Sequence, residues 1–406
     1  MLLIALITLI AGLVGAFYYR FMRRPIPDNI KDKTTTRLVL AFFTIALEWP
    51  MRVFCKLGHS NYCIRWMQKV LGSAGGSVHE QIGVYMTDYD GVPVRVYVPA
   101  KELRKNDHTI VYLHGGGFCL CSVKMFDPVL YELIEKLGCS AVSVDYRLAP
   151  QHIFPAGLDD CYKAVKYFLR EGHKELHVNP AKTVLMGDSA GGNFTAVISL
   201  KLREEKQLPK LASAVMIYPL VQSIEQYTTG GEMVRASGLD MLPDEFFGLM
   251  EFALWNVDFT VEKSLDYRFN RHVRKELRER ADVREYLDHN KLPAQFKHDA
   301  WHPPVYPEQI NETLAAEIEP IITNVDFSPL LAKDVSNVPP TLVQTMEYDQ
   351  LRDEGYLYYD RLKEAGNAAE WAHYASAMHG QMQATGSEPQ QQMMADIVKF
   401  VKQHCQ

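Results

Sequence analysis

The stretch TVLMGDSAGGNFTAVISLKL, residues 183–202, decides the fold, because it joins an apolar strand directly to a helix through a glycine-rich turn. The turn, GDSAG at residues 187–191, has the pattern G-x-S-x-G. In a strand–turn–helix context, this pattern holds the serine hydroxyl clear of the sheet, and the glycines relieve crowding. The N-terminus of the following helix favours developing negative charge. The stretch therefore predicts a nucleophile, Ser189.

Strand and helix signals alternate on both sides of this turn. A period-two pattern with an Asp-Gly turn predicts a hairpin over 82–99. Further strands are predicted at 109–113, 140–146, 183–186, 212–218, 341–346 and 370–375. Helices are predicted at 126–137, 158–170, 190–203, 353–365 and 391–403. This rhythm predicts an α/β fold with a mostly parallel central sheet flanked by helices.

The alternation stops at Pro219 and resumes near residue 341. The intervening segment is charged, rich in aromatic residues and helical in character, and its run RHVRKELRERADVREYLDHNK predicts a solvated helix face. A long insertion before the last strands of a sheet is where a helical cap over a substrate would lie. The sequence thus divides into five parts. They are an N-terminal apolar segment (1–19), an N-terminal helical segment (20–80), a first core part (81–220), a cap insertion (221–324) and a second core part (325–406).

A second glycine motif follows the predicted strand at 109–113. It begins with His114 and Gly115 and continues with Gly116 and Gly117. Acyl transfer needs backbone N–H groups aimed at the oxyanion of the tetrahedral intermediate, and glycines let the backbone approach that oxygen. The predicted oxyanion donors are therefore the N–H groups of Gly116, Gly117 and Ala190.

The base and the acid are chosen by their order along the chain. After a G-x-S-x-G serine, the usual order is an acid and then a histidine. His379 lies in the loop after the strand at 370–375, and Asp349 directly follows the strand at 341–346. Loops at the carboxyl ends of parallel strands converge, so both side chains are expected near the serine. Asp353 is the competing acid, although its position favours capping of the next helix.

The N-terminus begins with MLLIALITLIAGLVGAF, which contains no charged residue and precedes Tyr18, Tyr19 and Arg20. A helix of this length and apolarity can cross a bilayer, and tyrosines suit the interface. A cleaved signal peptide is the alternative, although no basic residue precedes the apolar run. The arginines that follow the span place the rest of the chain in the cytosol by the positive-inside rule. Beyond it, residues 36–72 predict two helices interrupted at Pro50, either covering a site mouth or lying against the bilayer.

Composition excludes other classes of protein. With a net charge of -6, the chain offers no basic surface for nucleic acid. Seven cysteines do not form a disulfide framework, although Cys55 and Cys63 are close enough in sequence to pair. The C-x-C of Cys119 and Cys121 has no second cysteine pair at zinc spacing, so a structural metal is not expected. Hydrolysis by a serine, a histidine and an acid requires no cofactor.

Six motifs in order carry a family resemblance: HGGGF, DYRLAP, FPAGLDD, GDSAGGN, EYDQLRDEG and MHG. With the N-terminal apolar segment, they resemble the hormone-sensitive-lipase-like branch of α/β-hydrolases, and within it the arylacetamide deacetylase and neutral cholesterol ester hydrolase family. The resemblance implies the α/β-hydrolase fold with a helical cap. It also implies a single-pass type II anchor in the endoplasmic reticulum membrane with the catalytic domain in the lumen. This placement is opposite to the cytosolic one that the positive-inside rule predicts from the arginines.

The resemblance also bears on individual residues. It implies that Tyr146, Arg147 and the neighbouring motif residues Asp145, Asp159 and Asp160 brace the active-site loops. In relatives, the cysteine that follows HGGG and an aromatic residue forms a disulfide with a second cysteine, and Met346 occupies the place of that second cysteine here. Cys119 is therefore expected to be unpaired or paired elsewhere. Of two Asn-x-Thr sequons, Asn193 is expected to be inaccessible and Asn311 to be glycosylated in a lumen.

Together these features predict a membrane-anchored serine hydrolase that cleaves lipophilic esters or amides through Ser189, Asp349 and His379. The substrate class stays open between aryl acetamides, acylglycerols and sterol esters. One alternative is a catalytically silent small-molecule-binding member of the fold, which would be expected to have a damaged triad. Another is a membrane-tethering protein, which leaves both glycine motifs without a purpose.

Overall fold

A computed structural model of the chain describes residues 18–72, 75–240, 243–297 and 301–405. Its centre is one eight-stranded sheet with the order β1-β2-β4-β3-β5-β6-β7-β8. The strands are β1 (Ile82–Tyr89), β2 (Val92–Pro99), β3 (Thr109–Leu113), β4 (Ser140–Val144), β5 (Thr183–Asp188), β6 (Ser213–Ile217), β7 (Thr341–Tyr348) and β8 (Ala369–Met378). Strand β2 pairs antiparallel with β1 and β4, and the remaining pairs are parallel. The α/β fold with a mostly parallel sheet is therefore confirmed.

Helices lie on both faces of the sheet. They are α1 (Lys33–Phe43), α2 (Trp49–Lys56), α3 (Ser60–Gly72), α4 (Asp127–Leu137), α5 (Ala156–Tyr167), α6 (His173–Glu175), α7 (Ala190–Leu202), α8 (Thr229–Ser237), α9 (Leu249–Trp255), α10 (Val261–Arg268), α11 (Lys275–Arg278), α12 (Ala281–Tyr286), α13 (Glu312–Ile322), α14 (Arg352–Glu364) and α15 (Glu388–His404). Strands β3, β4, β5 and β6 are buried along their whole length, as expected when helices cover both faces.

Strand β5 runs into α7 through Ser189, and the flanking strands β3 and β6 pair with β5 in parallel. The carboxyl ends of these strands consequently lie at one edge of the sheet. Strand β7 follows β6 in the sheet order, and β8 pairs with β7. The loops after β3, β5, β7 and β8 thus open onto the same edge, where the site residues predicted from the sequence lie.

The N-terminal helices differ from the prediction. Pro50 does not interrupt the helix, although it is the second residue of α2. The chain stays helical from α1 through a π-helical segment, Thr44–Glu48, into α2. The break comes later, at Gly58, which has a φ of 75°.

The insertion at 221–324 contains short helices, α8 to α13, rather than long ones. The charged run within it forms α11 and α12 with a break between them, not one continuous helix face. The insertion packs back onto the core, since the Phe154 N–H donates to Leu254 O over 2.9 Å. It therefore contacts the loop between β4 and α5.

The predicted membrane span at residues 1–19 lies almost wholly outside the described residues. Within residues 18–72, 75–240, 243–297 and 301–405, none of the helices combines the length and the apolarity that crossing a bilayer requires.

Candidate active site

Ser189 occupies a strained turn at the end of β5. Its φ is 55° and its ψ is -117°, and its N–H donates to Ile217 O over 2.9 Å. A Cβ on Gly191 would lie 1.9 Å from Leu113 O, and one on Gly187 would lie 2.2 Å from Gly191 O. Because no side chain fits in either place, both glycines of the G-x-S-x-G pattern are required for the backbone to make this turn.

The structure brings together the three side chains chosen from the sequence. His379 Nε2 is 3.0 Å from Ser189 Oγ, and His379 Nδ1 is 2.8 Å from Asp349 Oδ2. Asp349 is 1% exposed, and its second oxygen accepts the Leu351 N–H over 2.8 Å. The base is thus within hydrogen-bond reach of the nucleophile, and the acid holds the ring nitrogen on the other side.

Electrostatics favour a protonated His379. Burial lowers the pKa of the imidazole, but the adjacent Asp349 carboxylate outweighs burial, so the pKa lies above its usual value of 6.5. Tyr218 covers one side of the ring, with 4.7 Å between the ring centroids. This side chain could not be identified from the sequence, because no local pattern links it to His379.

A pH dependence of turnover follows. The imidazole must be neutral to accept the serine proton, so kcat/KM is expected to rise with pH and to reach half of its maximum above pH 6.5. The profile on a soluble ester measures this midpoint. A midpoint clearly below the usual histidine value would contradict the coupling between His379 and Asp349.

The oxyanion motif presents unpaired donors beside the serine. Gly116 and Gly117 adopt φ values of 117° and 58°. A Cβ on Gly116 would lie 2.4 Å from Leu120 O, so a side chain cannot be accommodated. Within the part of the chain that the structure describes, the N–H groups of Gly116, Gly117 and Ala190 donate no hydrogen bond. They are free to bind an oxygen that develops charge.

Asp188 supports this motif from beneath. Its Oδ1 accepts the Tyr112 hydroxyl and the Gly115 N–H, each over 2.8 Å. A Cβ on Gly115 would lie 2.5 Å from Asp188 Oδ2, so the carboxylate presses directly against the loop. Burial raises the pKa of Asp188 to about 6, against the two donors, which lower it. Asp188, the first variable residue of the G-x-S-x-G pattern, therefore holds the loop of the oxyanion motif in place. The pattern alone does not indicate this role.

His114, the first residue of the oxyanion motif, is structural. Burial lowers the pKa of its imidazole to about 4, so it is neutral at physiological pH. Its ring stacks on Tyr146 at 4.4 Å, and the Tyr146 hydroxyl donates to His114 O over 2.8 Å. Arg147 pairs with Asp160 over 2.7 Å. Tyr146 thus holds the oxyanion motif, and Arg147 joins the loop after β4 to Asp160 of α5, as expected. Among the described residues, the side chains of Asp145 and Asp159 form no hydrogen bond or ion pair, so the bracing expected of these two is not found.

The competing acid has another role. Asp353 does not cap α14, because Leu351 occupies the N-cap and no side chain caps this helix. Its Oδ1 accepts Arg352 Nε over 2.8 Å, and its Oδ2 lies 3.9 Å from His289 Nδ1. His289 Nε2 is 2.8 Å from Glu225 Oε2. A buried ionic network therefore joins the core at Asp353 to the cap insertion at His289 and Glu225, and the capping prediction was wrong.

A buried carboxyl extends this network. Glu354 accepts hydrogen bonds from the N–H groups of Val221 and Gln222 and from the Gln222 side chain, at 2.6, 3.3 and 2.7 Å. Burial raises its pKa to about 8, although the three donors lower it. Burial also lowers the pKa of His289, but Glu225 and Asp353 outweigh this effect, and the pKa is raised.

The raised pKa values of Glu354 and His289 predict that the free energy of unfolding decreases as the pH rises. Between its ordinary value of 4.5 and about 8, native Glu354 keeps a proton that the unfolded chain has lost, so each step up in pH favours unfolding. His289 acts in the same direction, since its stabilisation is complete below 6.5 and is lost as pH rises through its raised folded pKa. The Tm is expected to decrease over this range, and Glu354→Gln to reduce the slope. Exposed Glu276 provides the control, because Glu276→Gln is expected to leave the slope unchanged; a Tm that rises would contradict this account.

The cap insertion reaches the oxyanion loop through Met250. A Cβ on Gly117 would lie 2.6 Å from Met250 Sδ, and the Cys119 thiol donates to Met250 O over 3.3 Å. All seven cysteines are free, including Cys55 and Cys63, so the pairing considered for these two is not formed. Cys119 is unpaired, as expected from the replacement by Met346.

The sequons differ in accessibility. Asn193 is 1% exposed and its Nδ2 donates to Leu220 O and Phe327 O, so it is buried as expected. Asn311 is half-buried, caps α13 by accepting the Leu314 N–H, and donates to Asp266 over 2.8 Å.

Comparisons with known proteins agree with this geometry. A family model for the alpha/beta hydrolase fold matches residues 110–250 and 285–383. Arylacetamide deacetylase of Oryctolagus cuniculus is 30% identical over 93% of this chain and 94% of its own length, and neutral cholesterol ester hydrolase 1 of Mus musculus is 30% identical over 93% and 92%. A solved arylesterase superposes with a TM-score of 0.61 at 22% identity, covering 94% of this chain and all of that one. An esterase from the archaeon Pyrobaculum calidifontis gives 0.56 at 27% identity, covering 87% and 93%.

Proposed function

The chain belongs to the α/β-hydrolase family that includes arylacetamide deacetylase and neutral cholesterol ester hydrolase, and on this premise we propose a membrane-anchored esterase for lipophilic substrates. The protein is a serine carboxylesterase, and ester hydrolysis is its chemistry. The observation that carries the assignment of roles is the continuous hydrogen-bonded path from Ser189 through His379 to Asp349, beside unpaired N–H donors.

The proposed reaction begins with proton transfer. His379 Nε2 takes the hydroxyl proton as Ser189 Oγ attacks the acyl carbon, and the carbonyl oxygen becomes an oxyanion. The N–H groups of Gly116, Gly117 and Ala190 bind that oxyanion. Protonated His379 then gives its proton to the leaving alcohol or amine, which departs and leaves an acyl-serine.

Water completes the cycle. His379 removes a proton from the attacking water, and the second tetrahedral intermediate releases the carboxylic acid and restores the Ser189 hydroxyl. Asp349 orients the imidazole and stabilises its charged form. The cycle uses only water and the residues of this chain.

Apolar side chains near the site support a lipophilic substrate. Phe118 directly follows the oxyanion donors and packs in the buried core, with its ring 5.2 Å from Phe194. Met250 of the cap packs against Gly117. One relative is named for an aryl acetamide and another for a cholesterol ester, and both names describe hydrophobic substrates. We therefore propose esters or amides with an apolar acyl or leaving group.

A substrate panel tests this proposal. The wild-type chain is compared on acetyl esters, long-chain esters of the same alcohol, an arylacetamide and a sterol ester, with the Ser189→Ala variant as the blank. Higher kcat/KM for the apolar substrates is expected, because burying apolar surface stabilises their complexes. Equal or higher kcat/KM for small polar esters would contradict the proposed substrate class.

The catalytically silent alternative is not favoured, since the triad is complete. A fluorophosphonate probe separates the two hypotheses, because it reacts only with an activated serine. Intact protein is expected to be labelled, and Ser189→Ala is not. Failure to label the intact protein would favour a binding protein.

We also propose that the apolar residues 1–17 anchor the protein in the endoplasmic reticulum membrane as a single-pass type II protein, with the catalytic domain in the lumen. The absence of charge along this segment supports the anchor, which the motif resemblance also implies. Asn311 is then a glycosylation site. Its amide keeps one N–H after modification, so the hydrogen bond to Asp266 can persist.

Sealed microsomes test the topology. A luminal domain is protected from added protease until detergent opens the vesicle, whereas a cytosolic domain is digested at once. A glycan on Asn311 is expected to be removed by endoglycosidase, and Thr313→Ala, which destroys the sequon, abolishes the mass shift. Digestion in sealed vesicles would contradict the luminal placement.

A further inference from the structure

The N-terminal helices expose apolar side chains where a surface helix ordinarily places polar ones. Along α1, the π-helical segment and α2, these side chains are between 49% and 66% exposed. We call them the apolar stripe: Leu38, Ile45, Trp49, Val53 and Leu57.

The spacing places these residues on one face. Successive members are separated by seven, four, four and four residues, which corresponds to whole turns of a helix. The opposite face carries the residues that pack inward, including Leu40, Leu47 and Met51, which are all buried. The helices are therefore held to the protein by one apolar face and present a second apolar face to the outside.

The charge of this segment is opposite to that of the whole chain. Residues 18–72 contain ten Lys and Arg against three Asp and Glu, whereas the complete chain has a net charge of -6. Lys56, Arg65 and Lys69 are exposed, and no acidic partner accompanies them among the described residues. An apolar stripe beside unpaired cations is complementary to a layer of phosphate head groups over acyl chains.

We propose that the apolar stripe docks on a phospholipid bilayer and seats α1 and α2 in its interface. The charge-free residues 1–17 directly precede Tyr18 and Tyr19, which are 60% and 72% exposed and suit the same interface. This inference rests on the proposed membrane-anchored esterase and adds a second contact. The anchor attaches the protein, and the apolar stripe orients it.

Docking in this orientation bears directly on the site. The Asn29 side chain donates to Ala375 O over 2.6 Å and accepts the Tyr348 hydroxyl over 2.7 Å. Ile30 and Leu40 form one cluster with Tyr348 and Met378. Tyr348 precedes the acid Asp349, and Met378 precedes the base His379.

The third helix reaches the other side of the site. Gln68 of α3 donates to Cys119 O and Ala149 O, both over 2.7 Å, and Cys119 lies two residues after the oxyanion donor Gly117. The chain on both sides of the apolar stripe, at Asn29 and Gln68, thus contacts the loops that bear the proposed triad and oxyanion hole. A docked segment holds the site mouth at the membrane, so a substrate dissolved in the bilayer enters without crossing water.

The test uses the full chain reconstituted in phosphatidylcholine vesicles, with and without phosphatidylserine. Val53→Glu places a carboxylate in the apolar stripe, and Val261→Glu is the matched control, because Val261 is 46% exposed and lies in the cap insertion. Turnover of an ester dissolved in the bilayer is expected to fall by about tenfold for Val53→Glu and to stay at the wild-type rate for Val261→Glu. Turnover of a soluble acetyl ester is expected to be equal in all three proteins.

Fluorescence locates the stripe directly. Brominated acyl chains are expected to quench the fluorescence of Trp49. The wild type should therefore show quenching that the Trp49→Phe variant does not show. Phosphatidylserine is expected to raise turnover of the bilayer ester, and added salt to reverse the rise. Equal losses in Val53→Glu and Val261→Glu, or unquenched Trp49, would overturn docking. A wild-type dimer in vesicles that Val53→Glu converts to monomer would instead assign the apolar stripe to a second copy.

Turnover of the soluble ester separates the proposed function from the docking. If the wild type does not hydrolyse the soluble ester, the proposed function is wrong. If it does, and the stripe variants match the control, only the docking is wrong.

Discussion

Replacing Ser189 by alanine is expected to lower kcat by about 10⁵-fold to 10⁶-fold, because the acyl-enzyme can no longer form. The fold should be unaffected, since the backbone of the turn depends on Gly187 and Gly191 and on the Ser189 N–H bond to Ile217 O, not on the hydroxyl. Steady-state hydrolysis of a soluble ester measures the loss, and an unchanged Tm shows that it is chemical.

A neighbouring serine provides the control. Ser199 lies on the same helix and is also buried, and its hydroxyl donates to Thr195 O. Ser199→Ala is expected to keep kcat near the wild-type value. Activity that survives in Ser189→Ala, or is lost equally in Ser199→Ala, would show that Ser189 is not the nucleophile.

Substituting Asp349 by asparagine is the second large effect, with kcat expected to fall by about 10⁴-fold. An amide at this position removes the charge that stabilises the imidazolium, and its NH₂ group favours the wrong tautomer of His379. The pKa of His379 also loses its main cause of elevation, so the remaining activity is expected to reach its midpoint at lower pH. The pH profile of the variant measures both changes.

Asp353→Asn distinguishes the two candidate acids. Asp353 lies in the ionic network with Arg352 and His289 and does not contact the triad base. Its replacement is expected to lower the Tm, because a buried network loses a partner, while kcat stays close to the wild-type value. A larger kcat loss in Asp353→Asn than in Asp349→Asn would reverse the assignment.

The contact among Ser189, His379 and Asp349 could be predicted from the sequence, because each of them lies in a short local pattern. Ser189 is specified by glycines that the turn requires, and His379 and Asp349 by their places after strands. The mostly parallel sheet follows from the same alternation, since parallel strands need helical crossovers.

Features that depend on distant contacts could not be predicted. The role of Asp188 follows from Tyr112 and Gly115, which precede it by more than seventy residues. Asp353 has the sequence position of a helix cap, but its buried carboxylate accepts a hydrogen bond from Arg352 Nε instead. Met250 lies in an insertion whose short helices have little periodicity, so nothing in the pattern indicated its contact with Gly117.

The contact of Gly191 with Leu113 O has a further consequence. Leu113 is the residue immediately before His114, so the backbone that bears the proposed nucleophile touches the backbone that bears two proposed oxyanion donors, at a point where no methyl group fits. The spacing between them is consequently fixed by atomic radii and not by any adjustable side chain. Gradual heating should not produce a folded species with a widened reaction centre. Loss of turnover on heating should instead coincide with cooperative melting of the sheet itself.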